Sequence, residues 1–351
     1  MRYLRWLLLP FSLLYGLVVV VRNWLYDARL FKSTEFDLPV ISVGNLAVGG
    51  AGKSPMTEYL VRLLKEDNKL ATLSRGYGRK TKGFYTAISA STVADVGDEP
   101  SQFKGKFPDV TVAVCEDRVA GIKKLEKEHH LIILDDAFQH RAVRPGLSIL
   151  LFDYNKLQEP HFVLPAGDLR EPFTGRWRAD IVVVTKCPPN LTFDEMNRAY
   201  YRVDPNSLQP LFFTSIAYLP MLDLAGAPID YNIDADTTVF VLTGIANPQP
   251  LVGHLQNYTS QIIHHNYPDH HQFTLKNISK LASEFTACDA QKKIIITTEK
   301  DAQRLGVHDL AAAARLLPIW VMPIGLDFLN DGQQNFDDLV INYVREYTKH
   351  H

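Results

Sequence analysis

Gly44-Asn45-Leu46-Ala47-Val48-Gly49-Gly50-Ala51-Gly52-Lys53-Ser54-Pro55 is the stretch that decides the fold. The apolar run Val40-Ile41-Ser42-Val43 before it reads as a strand. After Pro55, the residues Met56, Tyr59, Leu60, Leu63 and Leu64 fall on one helical face. A glycine-rich loop between a strand and a helix start is the context of a phosphate loop. Glycines let backbone N–H groups approach phosphate oxygens, and the helix N-terminus adds positive potential. Gly49, Gly50, Ala51, Gly52, Lys53, Ser54 and Pro55 are therefore the expected nucleotide contacts. Lys53 supplies a cation at the β and γ phosphates, and the Ser54 hydroxyl is placed to ligate Mg2+. Pro55 suits the first helical turn, where its missing N–H costs nothing. The strict spacing wants glycine where Ala47 stands. The rival reading, an ordinary glycine-rich turn, lacks a reason for the strand–helix context.

Further strands are expected at 70–73, 131–134, 148–152 and 181–184. Their apolar runs are continuous rather than alternating, which implies a parallel sheet covered on both faces. Asp135 and Asp136 end the second of these runs; an acid there holds Mg2+ directly or through water. Val182-Val183-Val184-Thr185-Lys186-Cys187-Pro188 sits where GTPases carry a base-reading motif. Pro188 offers no carboxylate to guanine, which leaves ATP as the default nucleotide. A second α/β set is expected from strands at 238–242, 294–297 and 319–324, after a boundary near 220–236. The expected fold is α/β: a P-loop NTPase-type parallel-sheet core with an N-terminal membrane-associated helix and a second, smaller α/β domain. The divisions are 1–30, 31–225 and 226–351.

The chain of 351 residues is 46% hydrophobic and 22% charged, as a folded globular protein is. A net charge of -2 gives no global basic field, so no nucleic acid partner is expected. Cys115, Cys187 and Cys288 lack metal or disulfide spacing and fit a reducing compartment. Trp6 to Val21 carries no charge and is bounded by Arg5 and Arg22. As a helix it spans about 24 Å, short of the roughly 30 Å hydrocarbon core. Tyr3, Trp6, Trp24 and Tyr26 flank it as interfacial aromatics do. A membrane-surface helix is the favoured reading, over a true span, a core helix or a signal peptide. The last lacks a small-residue cleavage site.

Leu73-Ser74-Arg75-Gly76-Tyr77-Gly78-Arg79, Gly97-Asp98-Glu99-Pro100, Leu134-Asp135-Asp136-Ala137-Phe138-Gln139-His140, Leu169-Arg170-Glu171-Pro172 and Pro268-Asp269-His270-His271 follow the phosphate loop. In that order they resemble the blocks of the tetraacyldisaccharide 4'-kinases of lipid A biosynthesis. Two departures are Ala137, where the family usually has glycine, and Ser54, where it has threonine. Neither removes a needed group.

The resemblance implies ATP- and Mg2+-dependent phosphorylation of the 4'-hydroxyl of a tetraacylated glucosamine disaccharide. The setting it implies is the cytoplasmic face of the inner membrane, with no obligatory protein partner. It gives Asp98 the role of general base, with His270 as dyad partner and Lys53 as a catalytic cation. Glu171 would join Ser54 and Asp135 or Asp136 at the metal, and Arg170 would face phosphate. Arg75, Tyr77, Gln139 and His140 would contact the disaccharide. Unaided, Asp98 reads equally well as a helix start, and Arg170–Glu171 as a surface ion pair. Asp98 precedes the expected boundary and His270 follows it, so the dyad is expected to need both domains. His264-His265 and His270-His271 match no common zinc pattern. The rival function is a membrane-attached P-loop NTPase acting as a switch or delivery factor.

Overall fold

The computed structural model describes residues 3–306 and 308–350, and the side chain of Tyr3 lies outside the described residues. The strands are β1 (Val40–Asn45), β2 (Leu70–Ser74), β3 (Tyr85–Thr86), β4 (Thr111–Val114), β5 (Leu131–Asp135), β6 (Leu147–Asp153) and β7 (Ile181–Cys187). They continue with β8 (Leu211–Tyr218), β9 (Leu222–Asp223), β10 (Thr237–Thr243), β11 (Ile262–Asn266), β12 (Lys292–Thr298), β13 (Ile319–Met322) and β14 (Ile324–Phe328). One sheet runs β14-β8-β7-β6-β1-β5-β2-β4-β3, the other β11-β10-β12-β13-β9. β1 lies between β5 and β6 with parallel pairing on each side. Every residue of β1, β2 and β5 is buried, which is why their apolar runs are unbroken. The fold is thus α/β with a mostly parallel core.

The chain divides into two compact units. The first holds residues up to Ser89, Phe103–Ala217 and the chain from Gly325 on; the second holds Ala90–Gln102 and Tyr218–Ile324. Two features differ from the sequence reading. The helix Gly332–His350 returns to the first unit, where Phe336, Val340 and Val344 bury among core residues such as Ile41 and Val183. Its apolar positions, spaced by four, face a partner that sequence proximity does not reveal. The excursion Ala90–Gln102 belongs with the second unit, so Asp98 and His270 share one unit, which corrects the expectation of a dyad that needs two.

The N-terminal helix α1 (Leu9–Asp27) follows a 3-10 turn and belongs to the first unit. Polar contacts tie one face of it to that unit. Ser12 Oγ accepts from Ala166 N–H at 2.8 Å, Tyr15 Oη donates to the Arg170 carbonyl at 2.7 Å, and Asp27 pairs with Arg141 at 2.6 Å. The opposite face leaves Phe11, Leu13, Leu14, Leu17 and Val18 exposed. A core helix would bury such residues, so that rival does not hold.

Candidate active site

The site in the first unit grows from the C-terminal end of β1. Gly49 and Gly52 have φ of 101° and 80°, values that a Cβ disfavours, so the turn requires glycine there. Helix α2 (Lys53–Leu64) starts at once, with Ser54 and Pro55 in its first turn. Met56, Leu60, Val61 and Leu64 fix it to the sheet by burial. Lys53 Nζ stands 3.2 Å from Asn45 Oδ1 and 3.8 Å from Asp136 Oδ1.

The pairing Val43↔Asp135 sets the end of β5 beside the start of the loop. Asp135 is buried, and its Oδ1 accepts from the Thr57 hydroxyl at 3.2 Å. Asp136 adopts a left-handed φ of 48° as the chain leaves the strand. Its carboxylate takes two bonds from Arg170, at 2.9 and 3.2 Å. Burial raises its pKa, but Lys53 and Arg170 outweigh this and hold it below the usual carboxylate range. Arg170 also donates to Asn45 Oδ1, so Asn45, Lys53, Asp136 and Arg170 form one polar network.

Glu171 is 1% exposed. Its carboxylate accepts from Gln139 at 2.9 Å and Asn23 at 3.1 Å, and it pairs with Arg178 at 2.9 Å. Among the described residues, no three His, Cys, Asp or Glu side chains converge to hold a metal. The four-donor set expected from sequence is therefore not gathered as a cage. Magnesium does not need one, because it keeps several waters and takes one or two protein oxygens plus phosphate. The Ser54 hydroxyl and the Asp135 carboxylate, both oxygen donors at the loop, fit that habit. His140 is pushed toward the neutral form, first by burial and then by the charge of Arg118. Arg75 is exposed and Tyr77 is 79% exposed, so these expected substrate residues reach outward rather than into the network.

The second unit holds Asp98 and His270. Asp98 begins the helix Asp98–Lys106, and His270 sits in the loop after β11 with a φ of 58°. His270 Nδ1 is 3.2 Å from Asp98 Oδ2. Arg304, 2% exposed, donates to the same oxygen at 2.9 Å and to the Gly244 carbonyl at 2.8 Å. Asp301, itself accepting from Thr298 Oγ1 at 2.7 Å, pairs with Arg304 at 3.1 Å. Beside them Lys300 pairs with Glu99 at 2.9 Å. Sequence reasoning missed Arg304. Its signal was only an Asp301–Arg304 spacing of one helical turn, which surface ion pairs share.

The profile of the family described as Tetraacyldisaccharide-1-P 4'-kinase matches residues 4–345. A curated tetraacyldisaccharide 4'-kinase of Phocaeicola vulgatus is 43% identical, the match covering 98% of this chain and 96% of the relative. One of Flavobacterium johnsoniae is 42% identical, with 99% of each covered. Among solved structures, LpxK from Aquifex aeolicus in complex with ATP superposes with a TM-score of 0.76 at 29% identity. That match covers 97% of this chain and 99% of the other.

Proposed function

This chain belongs to the tetraacyldisaccharide-1-P 4'-kinase family, and from that premise we propose which residues carry its reaction and where it works. The enzyme transfers phosphate from ATP to the 4'-hydroxyl of the tetraacyl disaccharide 1-phosphate of lipid A biosynthesis. ATP supplies the phosphoryl group, and Mg2+ neutralises charge on its oxygens.

Asp98 takes the proton of the attacking 4'-hydroxyl. The observation that carries this role is its contact with His270 at 3.2 Å, with Arg304 on the same oxygen. The Asp98 carboxylate is ionised and fixed in direction, as a general base must be. His270 orients it and shares the proton. Lys53 and the N–H groups of residues 49–54 hold the phosphates, and Ser54 and Asp135 would supply the protein's oxygen donors to Mg2+. Asp136 fixes Arg170 toward phosphate. Glu171 holds the frame through Gln139 and Arg178. Arg75, Tyr77, Gln139 and His140 meet the disaccharide. The exposed face of α1 lies in the interfacial layer of the inner membrane, on the cytoplasmic side where ATP is available.

Mass spectrometry of the disaccharide after incubation with ATP and Mg2+ tests the reaction. One added phosphate on the lipid, matched by ADP, is the expected result. ADP without a phosphorylated lipid would replace the kinase reading with the NTPase one.

A further inference from the structure

The segment Thr185-Lys186-Cys187-Pro188 lacks the carboxylate of a base reader, yet it is built against the phosphate loop. β7 lies two strands from β1, across β6. Thr185, 1% exposed, has its hydroxyl 2.9 Å from the Ala51 carbonyl and 3.2 Å from that of Phe152. The register of β7 against β8 shifts between Val184 and Cys187, and Lys186 takes a left-handed φ of 57°. A non-glycine residue there is strained, and the surroundings must hold it. The ammonium of Lys186 donates to the Gly50 carbonyl and pairs with Asp153 at 2.8 Å. Asp153 is anchored in turn by accepting from Asn155 N–H at 3.0 Å.

Two consecutive side chains thus grip two consecutive loop carbonyls. A trans peptide is planar, so its C=O and the next residue's N–H point in opposite directions. Fixing the Gly50 carbonyl fixes the Ala51 N–H, and fixing the Ala51 carbonyl fixes the Gly52 N–H. The Ala51 N–H meets its own Gly49 carbonyl at 3.2 Å, a tight turn with which a phosphate oxygen competes. Left to itself, a loop with glycine at 49, 50 and 52 has much freedom to lose on binding.

We propose that Thr185 and Lys186 are positioning residues for ATP: they brace the carbonyls of Ala51 and Gly50 so that the loop's N–H groups face the triphosphate. The brace acts on the triphosphate and does not read the base. It rests on the reading of residues 49–54 as the phosphate loop.

The test measures ATP binding by the full chain, and the inhibition constant of inorganic tripolyphosphate, which has no base, in competition with ATP. Lys186→Ala should weaken both by about tenfold, the worth of one charge-assisted hydrogen bond. The KM for the disaccharide should not move, and Lys186→Arg should recover part of the loss. Thr185→Val, nearly the same shape, should weaken both ligands several-fold. If Lys186→Ala does not fold, Thr185→Val and Lys186→Arg decide. Unchanged ATP affinity in Lys186→Ala or, failing that, in Thr185→Val overturns the brace, as does a loss seen with ATP but not with tripolyphosphate. Lys53→Ala separates this from the underlying reading: if it too binds ATP normally, the phosphate-loop assignment itself has failed.

Discussion

His270 Nδ1 lies 3.2 Å from Asp98 Oδ2, across 172 residues of sequence. Arg304 Nη2 reaches the same carboxylate oxygen at 2.9 Å and the same imidazole nitrogen at 3.3 Å. A guanidinium can only donate. The imidazole therefore bonds Asp98 when Nδ1 carries a hydrogen and accepts from Arg304 when it does not. In either state Arg304 keeps its hold on the Asp98 carboxylate.

Arg304 should set the pH at which the enzyme becomes active. Burial raises the pKa of Asp98, but the hydrogen bond and charge of Arg304, then those of His270, lower it more, so the net shift is downward. Nearby, Glu99 and Lys300 pair with each other, Asp301 pairs with Arg304, and Asp269 stands 3.8 Å from His270 Nε2. Removing Arg304 leaves burial in command, so the Asp98 pKa rises. The acid limb of kcat against pH should move to higher pH in Arg304→Gln and stay nearly in place in Arg304→Lys. The same sign holds for stability. A depressed carboxylate stabilises the fold above its unfolded pKa, and that contribution fades as pH falls through its folded value. An unmoved acid limb in Arg304→Gln would mean that Arg304 only supports the fold.

Membrane affinity should reside in the outer face of α1. Leu14 and Leu17 are 64% and 60% exposed there, while the polar contacts of the helix lie on the other side. Burying a leucine stabilises by about 1.5–3 kcal/mol. Leu14→Asp with Leu17→Asp should therefore cut sedimentation with anionic vesicles at least tenfold, with the melting temperature nearly unchanged. Equal pelleting would locate the contact elsewhere.

Gly44 is a position where size alone matters. A Cβ there would stand 2.6 Å from Phe138 Cβ and 3.0 Å from the Phe138 backbone nitrogen. The turn after Asp136 would have to retreat from β1. Gly44→Ala should lower stability by about 1–3 kcal/mol, read by chemical denaturation. A wild-type midpoint would show that this turn yields freely.

The glycine turn between β1 and α2 is legible because its signal is local: glycines, Lys53 and Ser54 between a strand and a helix. The place of Asp135 at a strand end is legible for the same reason, after a continuous apolar run. The membership of Asp98 was not. The excursion Ala90–Gln102 joins a unit whose other residues start more than a hundred positions later, and no periodicity encodes that return. The helix Gly332–His350 was assigned to the wrong unit for a similar reason, since its apolar stripe shows that it packs but not on what. The family resemblance alone implies Glu171 as a metal donor. In the fold its carboxylate meets Arg178, Gln139 and Asn23, three partners scattered along the chain.

The most direct measurement of the central claim follows labelled γ-phosphate from ATP to the tetraacyl disaccharide 1-phosphate in wild type and Asp98→Ala. ATP affinity and melting temperature are read on the same preparations. Loss of a positioned base predicts transfer slower by about 10²–10⁴-fold with ATP affinity unchanged. The double variant with His270→Ala should lose little more, because residues that act as a unit are not additive. A folded Asp98→Ala protein that labels the lipid at the wild-type rate would contradict the account.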